Sequence, residues 1–360
     1  MKRIIRFLTV AGILFTLFPL TAFADESEEI LEEFSSIIPS GVHVDAEDVG
    51  SAIGVEALFR EISAALSDKA GDAVGFFLLL LGFAVIISLT SHASLGTDTA
   101  LDSAVQVSVS TIAAASIFTA LYDVCAALEA GLTSVVDFFS SAIPVFTLIS
   151  TSSGATATAG AQSFNMNLTL ALIEKFCTGT LLPTAFAIFS LGFVASVSDG
   201  RVMSVAKGVK SAFMWGVGLV GSLLAAIIAM QSVVASAADN ATLRAARYAA
   251  SGMIPIVGST VASALSTLGG GMAYLKSTVG MGSVAVILIL SVAPLVSLLL
   301  YRLAISASLT FLEFTGSAGG VRCYSAFRGA LDTLIAVYST SVLVCIIEVV
   351  VFVKGGVSAT

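Results

Sequence analysis

Six apolar stretches recur along this chain: Ala73–Leu89, Ala104–Leu128, Thr180–Val197, Ala212–Ala235, Ser283–Ile305 and Leu334–Val353. Together they hold three charged residues, Asp123, Arg302 and Glu348. About 20 apolar residues are what an α-helix needs to cross the hydrocarbon of a bilayer. No water satisfies the backbone there, so an open segment must make its hydrogen bonds internally, as a helix. The pattern predicts an all-α, polytopic integral membrane protein with about six transmembrane helices. Composition agrees, with 57% hydrophobic and 11% charged residues, against about 25% charged in soluble domains.

Two further apolar pieces, Val135–Ser150 and Tyr248–Leu268, are short, flanked by Ser, Thr and Gly, and contain Pro144 and Pro255. Proline removes a backbone donor and breaks or kinks a helix. Both pieces are therefore expected to be re-entrant or interfacial segments rather than crossings.

The N-terminus has a different character. Lys2, Arg3 and Arg6 precede an apolar run from Phe7 to Leu20 and the small-residue site Ala22-Phe23-Ala24. This is the form of a secretory signal peptide, so residues 1–24 are expected to be a signal peptide, with an uncleaved anchor as the alternative. Residues 25–72 follow as an acidic extracytoplasmic arm holding 13 Asp/Glu and 2 Lys/Arg. Ile30, Leu31 and Phe34 form an apolar stripe among glutamates, and Val55, Leu58, Phe59, Ile62 and Leu66 mark a second helical pattern. A segment this short cannot bury a large core of its own. It reads either as a solvated arm or as a docking arm for an extracytoplasmic partner.

The polytopic membrane domain, 73–360, is balanced in charge, with 11 acids and 11 Lys/Arg. No basic patch with interleaved aromatics occurs, which excludes nucleic acid as a partner. With the arm outside, six crossings place Arg201, Lys207, Lys210, Arg322 and Arg328 in the cytoplasm and Arg302 at the inner end of its span. That satisfies the positive-inside rule. Arg244, Arg247 and Lys276 then fall outside, against the trend.

The spacing also fits a tandem repeat, with coincidence among four membrane prolines as the alternative. Ser141-Ala142-Ile143-Pro144-Val145 parallels Gly252-Met253-Ile254-Pro255-Ile256. Pro183 and Pro294 follow at the same interval, and Ser-Ala-Phe recurs at 211–213 and 325–327. The units would be 104–211 and 212–330, pointing the same way as parallel repeats do in transporters.

The most information-rich stretch is Ala237–Ala264. Asp239 is placed to N-cap a short amphipathic helix whose face carries Arg244, Arg247 and Ser251. The apolar run Ile254-Pro255-Ile256-Val257-Gly258 follows. These residues give the candidate path-lining or structural positions Asp239, Arg244, Arg247, Pro255 and Gly258, with Pro144 as the counterpart in the first unit. Glu348, in the last span, is the seventh candidate. A transport reading makes it a proton- or cation-binding group. The alternative has it snorkelling to the interface or pairing with Lys354 or Lys276.

No GxSxG, HExxH or Walker loop occurs, and the only histidines are His43 and His92. Nothing shows the convergent partners that catalysis needs. No catalytic, metal or cofactor residues and no enzyme activity are expected. Cys125, Cys177, Cys323 and Cys345 are isolated and read as apolar packing cysteines, with a Cys125–Cys177 disulfide as the alternative. Two small-residue faces, Gly192/Ser196/Gly200 and Gly218/Ser222/Ala226, predict close helix contacts, with a helix of this chain or of another subunit.

Ala238-Asp239, Leu243-Arg244, Arg247-Tyr248 and Ser251-Gly252-Met253-Ile254-Pro255-Ile256-Val257-Gly258, with Gly320-Val321-Arg322 and Ala326-Phe327-Arg328, resemble the stage III sporulation protein AE family of endospore-forming bacteria. The resemblance covers most of the chain from the arm onward. It implies a multi-pass subunit of the mother-cell to forespore channel or secretion complex, in the mother-cell membrane facing the forespore. The implied partners are the other subunits, including a cytoplasmic ATPase and ring-forming membrane proteins. It implies no catalytic residues. Two other functions remain open on the residues alone: a self-contained secondary transporter of a small solute, and a non-conducting membrane scaffold.

Overall fold

The computed structural model describes residues 29–39, 53–92, 99–176, 179–180, 182–197, 201–253 and 258–354. The expected signal peptide and Ile254–Val257, with Pro255, lie outside them. All regular structure among the described residues is helical: α1 (29–37), α2 (Ile53–His92), α3 (Thr99–Ser152), α4 (Thr156–Phe176), α5 (Leu182–Val197), α6 (Arg201–Met253), α7 (Gly258–Thr315) and α8 (Ala318–Lys354). Five helices are long and apolar enough to cross a membrane, and α5 contributes a shorter apolar segment. This is a polytopic all-α membrane protein.

The passages alternate in direction. α3 turns into α4 at Ser153–Ala155 and α7 into α8 at Gly316-Ser317, with Gly154 and Gly316 at φ 80° and 77°. That left-handed region costs a glycine nothing and strains other residues. The start of α4 touches Asp239 in the upper part of α6, and Gly192 of α5 packs against Ala326 near the start of α8. α4 and α5 therefore make one passage between them. With α2, α3, α6, α7 and α8 this gives six passages through the bundle, five of them made by helices long and apolar enough to cross a membrane.

The passages are taller than a bilayer. α3, α6 and α7 have 54, 53 and 58 residues, or roughly 80 Å each at 1.5 Å per residue, against about 30 Å of hydrocarbon. The first expected re-entrant piece is corrected accordingly: Val135–Ser150 does not turn back but continues α3, with Pro144 inside the helix. Pro144 faces outward while Ile143, Val145 and Phe146 are buried, so packing on both flanks carries the helix past the missing donor. Tyr248–Leu268 is divided between the end of α6 and the start of α7. Likewise α2 runs unbroken through positions 72 and 73, joining the second arm helix to the first span.

The apolar stretches are staggered. Tyr324 donates to the Leu80 carbonyl at 2.7 Å, and Phe189 packs edge-on against Phe327. The middles of the first and third stretches thus meet α8 before its own stretch begins at Leu334. Gly221, in the fourth, meets Thr340, well inside it.

The core fills the bundle axis. Tyr324, Tyr338, Phe139, Phe146, Phe327 and Phe352 are its largest fully buried side chains, and Phe146 stacks on Phe352 with centroids 4.3 Å apart. Cys125, Cys323 and Cys345 are buried in it as thiols, outside any disulfide; Cys177 lies outside the described residues. The stripe of α1 joins the same core through Ile30 and Phe34, with Glu29, Glu32 and Glu33 exposed. This part of the arm is docked on its own chain.

Candidate functional site

α4 turns a polar face into the bundle. Thr158, Gln162, Asn165 and Thr169 recur at intervals of four, three and four, which places them on one side of a helix. All four are buried. A helix with this inward face is stable only where its neighbours supply partners, and here they come from α3, α6 and α8.

At the top, Asp239 accepts the backbone N–H groups of Ala157 at 3.0 Å and Thr158 at 2.7 Å. One turn down, Ser150 of α3 donates to Gln162 Oε1 at 3.1 Å, and Gln162 Nε2 reaches the Val351 carbonyl at 3.5 Å. Lower still, Thr169 Oγ1 donates to Glu348 Oε1 at 2.7 Å. Lys276 of α7 closes the side, with its buried amine 4.8 Å from the Phe352 ring centroid and within electrostatic reach of Asp239. Five helices thus share one buried polar seam. Such groups are costly in an apolar medium unless paired, so the seam fixes the register of α4 against the bundle.

A second polar centre lies nearer the opposite end. Asp332 of α8 receives Lys210 Nζ of α6 at 2.8 Å and Arg302 Nε of α7 at 2.7 Å. All three side chains are half-buried. One carboxylate therefore ties three passages together, leaving an excess positive charge.

The sequence candidates distribute unevenly. Asp239 and Glu348 both join the seam. Asp239 does not cap a short helix of its own, since 201–253 is one helix; it caps α4 instead, because the alanine-rich run before it contains no breaker. Glu348 is buried, takes part in no ion pair among the described residues, and is bonded to Thr169 rather than to Lys354 or Lys276. Arg244 is exposed on α6. Arg247 lies on the same helix, with its side chain outside the description, as is Pro255. Gly258 is the first residue of α7, and Pro144 faces away from the seam.

Thr158, Gln162, Thr169 and Asp332 carry contacts that the sequence reading missed, and Asn165 shares their buried face on α4. The four on α4 had a legible signal, their helical spacing, in a segment the sequence reading assigned to no element. Asp332 had none, because its partners are 122 and 30 positions away.

The small-residue faces also separate. A Cβ on Gly192 would collide with Ala326, so Gly192 is spent inside the chain, on α8. Gly218 has open space around it, and Ser222 and Ala226 are exposed. The second face looks outward.

The family model for stage III sporulation protein AE matches residues 35–356. The chain belongs to that family. It is 22% identical over 307 residues to the stage III sporulation protein AE of Bacillus subtilis (strain 168), covering 83% of this chain and 73% of that protein. No solved structure matches. The family match runs from the end of α1 to just past the end of α8, so the seam, the Asp332 clamp and the outward face of α6 all lie within it.

Proposed function

We propose that this chain is a non-enzymatic membrane subunit of the mother-cell to forespore channel complex required for sporulation. Family membership over nearly the whole membrane body carries this reading. Its partners are the other subunits of the complex, including a cytoplasmic ATPase and ring-forming membrane proteins. Arg201, Lys207, Arg322 and Arg328 fall at one end of the bundle, near the starts of α6 and α8. The positive-inside rule assigns that end to the mother-cell cytoplasm. The seam end, some tens of ångströms away along helices that outreach a bilayer, then faces the forespore.

The aromatic core bears on mechanism. A path down the axis of one copy would have to displace Phe139, Phe146, Tyr338 and Phe352, all nearly inaccessible. This favours a subunit that helps wall a path between chains over one that carries a path within itself. It also moves the candidate role of Arg244 from lining an internal path to facing outward at the forespore end.

The test is deletion of the gene in its native host, followed by counting heat-resistant spores and purifying tagged protein from sporulating cells. Loss of spores and recovery of the chain with its ATPase and ring-forming partners are expected. Normal sporulation of the deletion strain overturns the reading. So does ion-coupled solute uptake by the purified chain alone in liposomes, which would make it a transporter.

A further inference from the structure

Glu348 is a buried carboxylate whose charge is not balanced by an ion pair. It is 1% exposed and receives one side-chain hydrogen bond, from Thr169. One turn earlier on α4, Asn165 is 2% exposed and its Oδ1 has no hydrogen-bond partner. Residues four apart on a helix are neighbours, with Cβ atoms about 6 Å apart. The register of the two antiparallel helices brackets this spot, with Gln162 meeting Val351 above and Thr169 meeting Glu348 below. Asn165 lies between those two contacts, on the same buried face.

A carboxylate and a hydroxyl from two helices therefore meet, with a buried, unpartnered amide oxygen one helical turn away on the same face. An isolated buried charge is costly and is normally matched by a counter-charge or neutralised. The other charged groups of the seam do not supply one. Asp239 of α6 is itself acidic, and Lys276 of α7 lies over Phe352 within reach of Asp239. From α3 the seam receives a neutral serine. Oxygen-only donors suit hard cations rather than thiophilic or imidazole-seeking metals. Among the described residues no three His, Cys, Asp or Glu side chains gather, and a single carboxylate balances a single positive charge.

We infer that Glu348, Asn165 and Thr169 form a binding site for one small monovalent cation of the sodium class, which clamps α4 to α8. This site stands independently of the channel-complex reading.

The purified full-length chain in detergent is unfolded thermally in choline chloride and in sodium chloride at equal ionic strength. Sodium is expected to raise Tm by several degrees, saturably, where choline does not. Glu348→Gln, which keeps the side-chain shape and removes the charge, is expected to make Tm independent of sodium. Asn165→Ala and Thr169→Val each raise the half-saturating sodium concentration at least tenfold, and they report on the site even if Glu348→Gln fails to fold. Equal Tm in the two salts overturns the inference, as does a sodium response that survives in Glu348→Gln. Full stabilisation by acid in choline, with nothing added by sodium, also overturns it, since the occupant would then be a proton.

Discussion

Thr158 gives its backbone N–H to Asp239 Oδ2 at 2.7 Å across 81 positions of sequence. The first turn of α4 is thus capped by a different helix. Free N–H groups at a helix start carry partial positive charge, and a carboxylate satisfies both the donors and the dipole. Asp239→Ala is expected to destabilise the chain by about 2 kcal/mol, the upper end for loss of a cap. Asp239→Asn, which keeps an acceptor, should lose less. Thermal unfolding of the purified variants in detergent measures the difference.

Asp332 holds two cations, so its loss is not equivalent to the loss of either partner. Asp332→Ala leaves Lys210 and Arg302 facing each other without the carboxylate between them. Lys210→Met leaves the Arg302 pair intact. The side chains keep partial contact with solvent, 24–43% exposed, which limits each contact to about 1 kcal/mol. The expected order of Tm is wild type, Lys210→Met, Asp332→Ala. Equal Tm for the two variants would contradict the clamp.

Gly192 and Gly218 belong to similar motifs and should respond in opposite ways. Gly192→Val forces a branched side chain into Ala326 and is expected to cost about 3 kcal/mol, the upper range for overpacking. Gly218→Ala meets open space and should stabilise α6 by up to about 1 kcal/mol through helix propensity. Unfolding of the isolated protein tests both. If the α6 face meets another subunit, Gly218→Leu will leave that Tm near wild type and lower spore yield.

Phe34 anchors the arm to the bundle. Phe34→Ala is expected to cost about 3 kcal/mol, at the low end for a buried Phe, since α1 is a short element with few anchors. Limited proteolysis should then cleave the undocked arm at lower protease concentration than in the wild type.

Orientation is testable with single cysteines in a background lacking the native four. Substitutions at Arg201 and Arg322 should label from the cytoplasmic side and Ser153 from the other. Labelling of Arg201 and Ser153 from the same side would overturn the six-passage order.

The sequence by itself determined the class, a polytopic all-α membrane protein. Length and apolarity act locally: a run of about 20 residues with at most one charge meets the bilayer's demand whatever surrounds it. It also singled out Asp239, as a helix cap, and Glu348, because an ionisable group within a span is expensive; both lie in the buried polar seam. It misjudged Val135–Ser150, where proline's local penalty was outweighed by the burial of Ile143, Val145 and Phe146 on either side. It left α4 unread, since a polar face pointing inward looks like a loop until its partners are known. Only the tertiary structure decided that Asp239 caps another helix, that Glu348 bonds Thr169, that Asp332 joins three passages, and which glycine face stays open. Each of those depends on residues brought together from distant parts of the chain, and periodicity reports which face a residue lies on, not what that face meets.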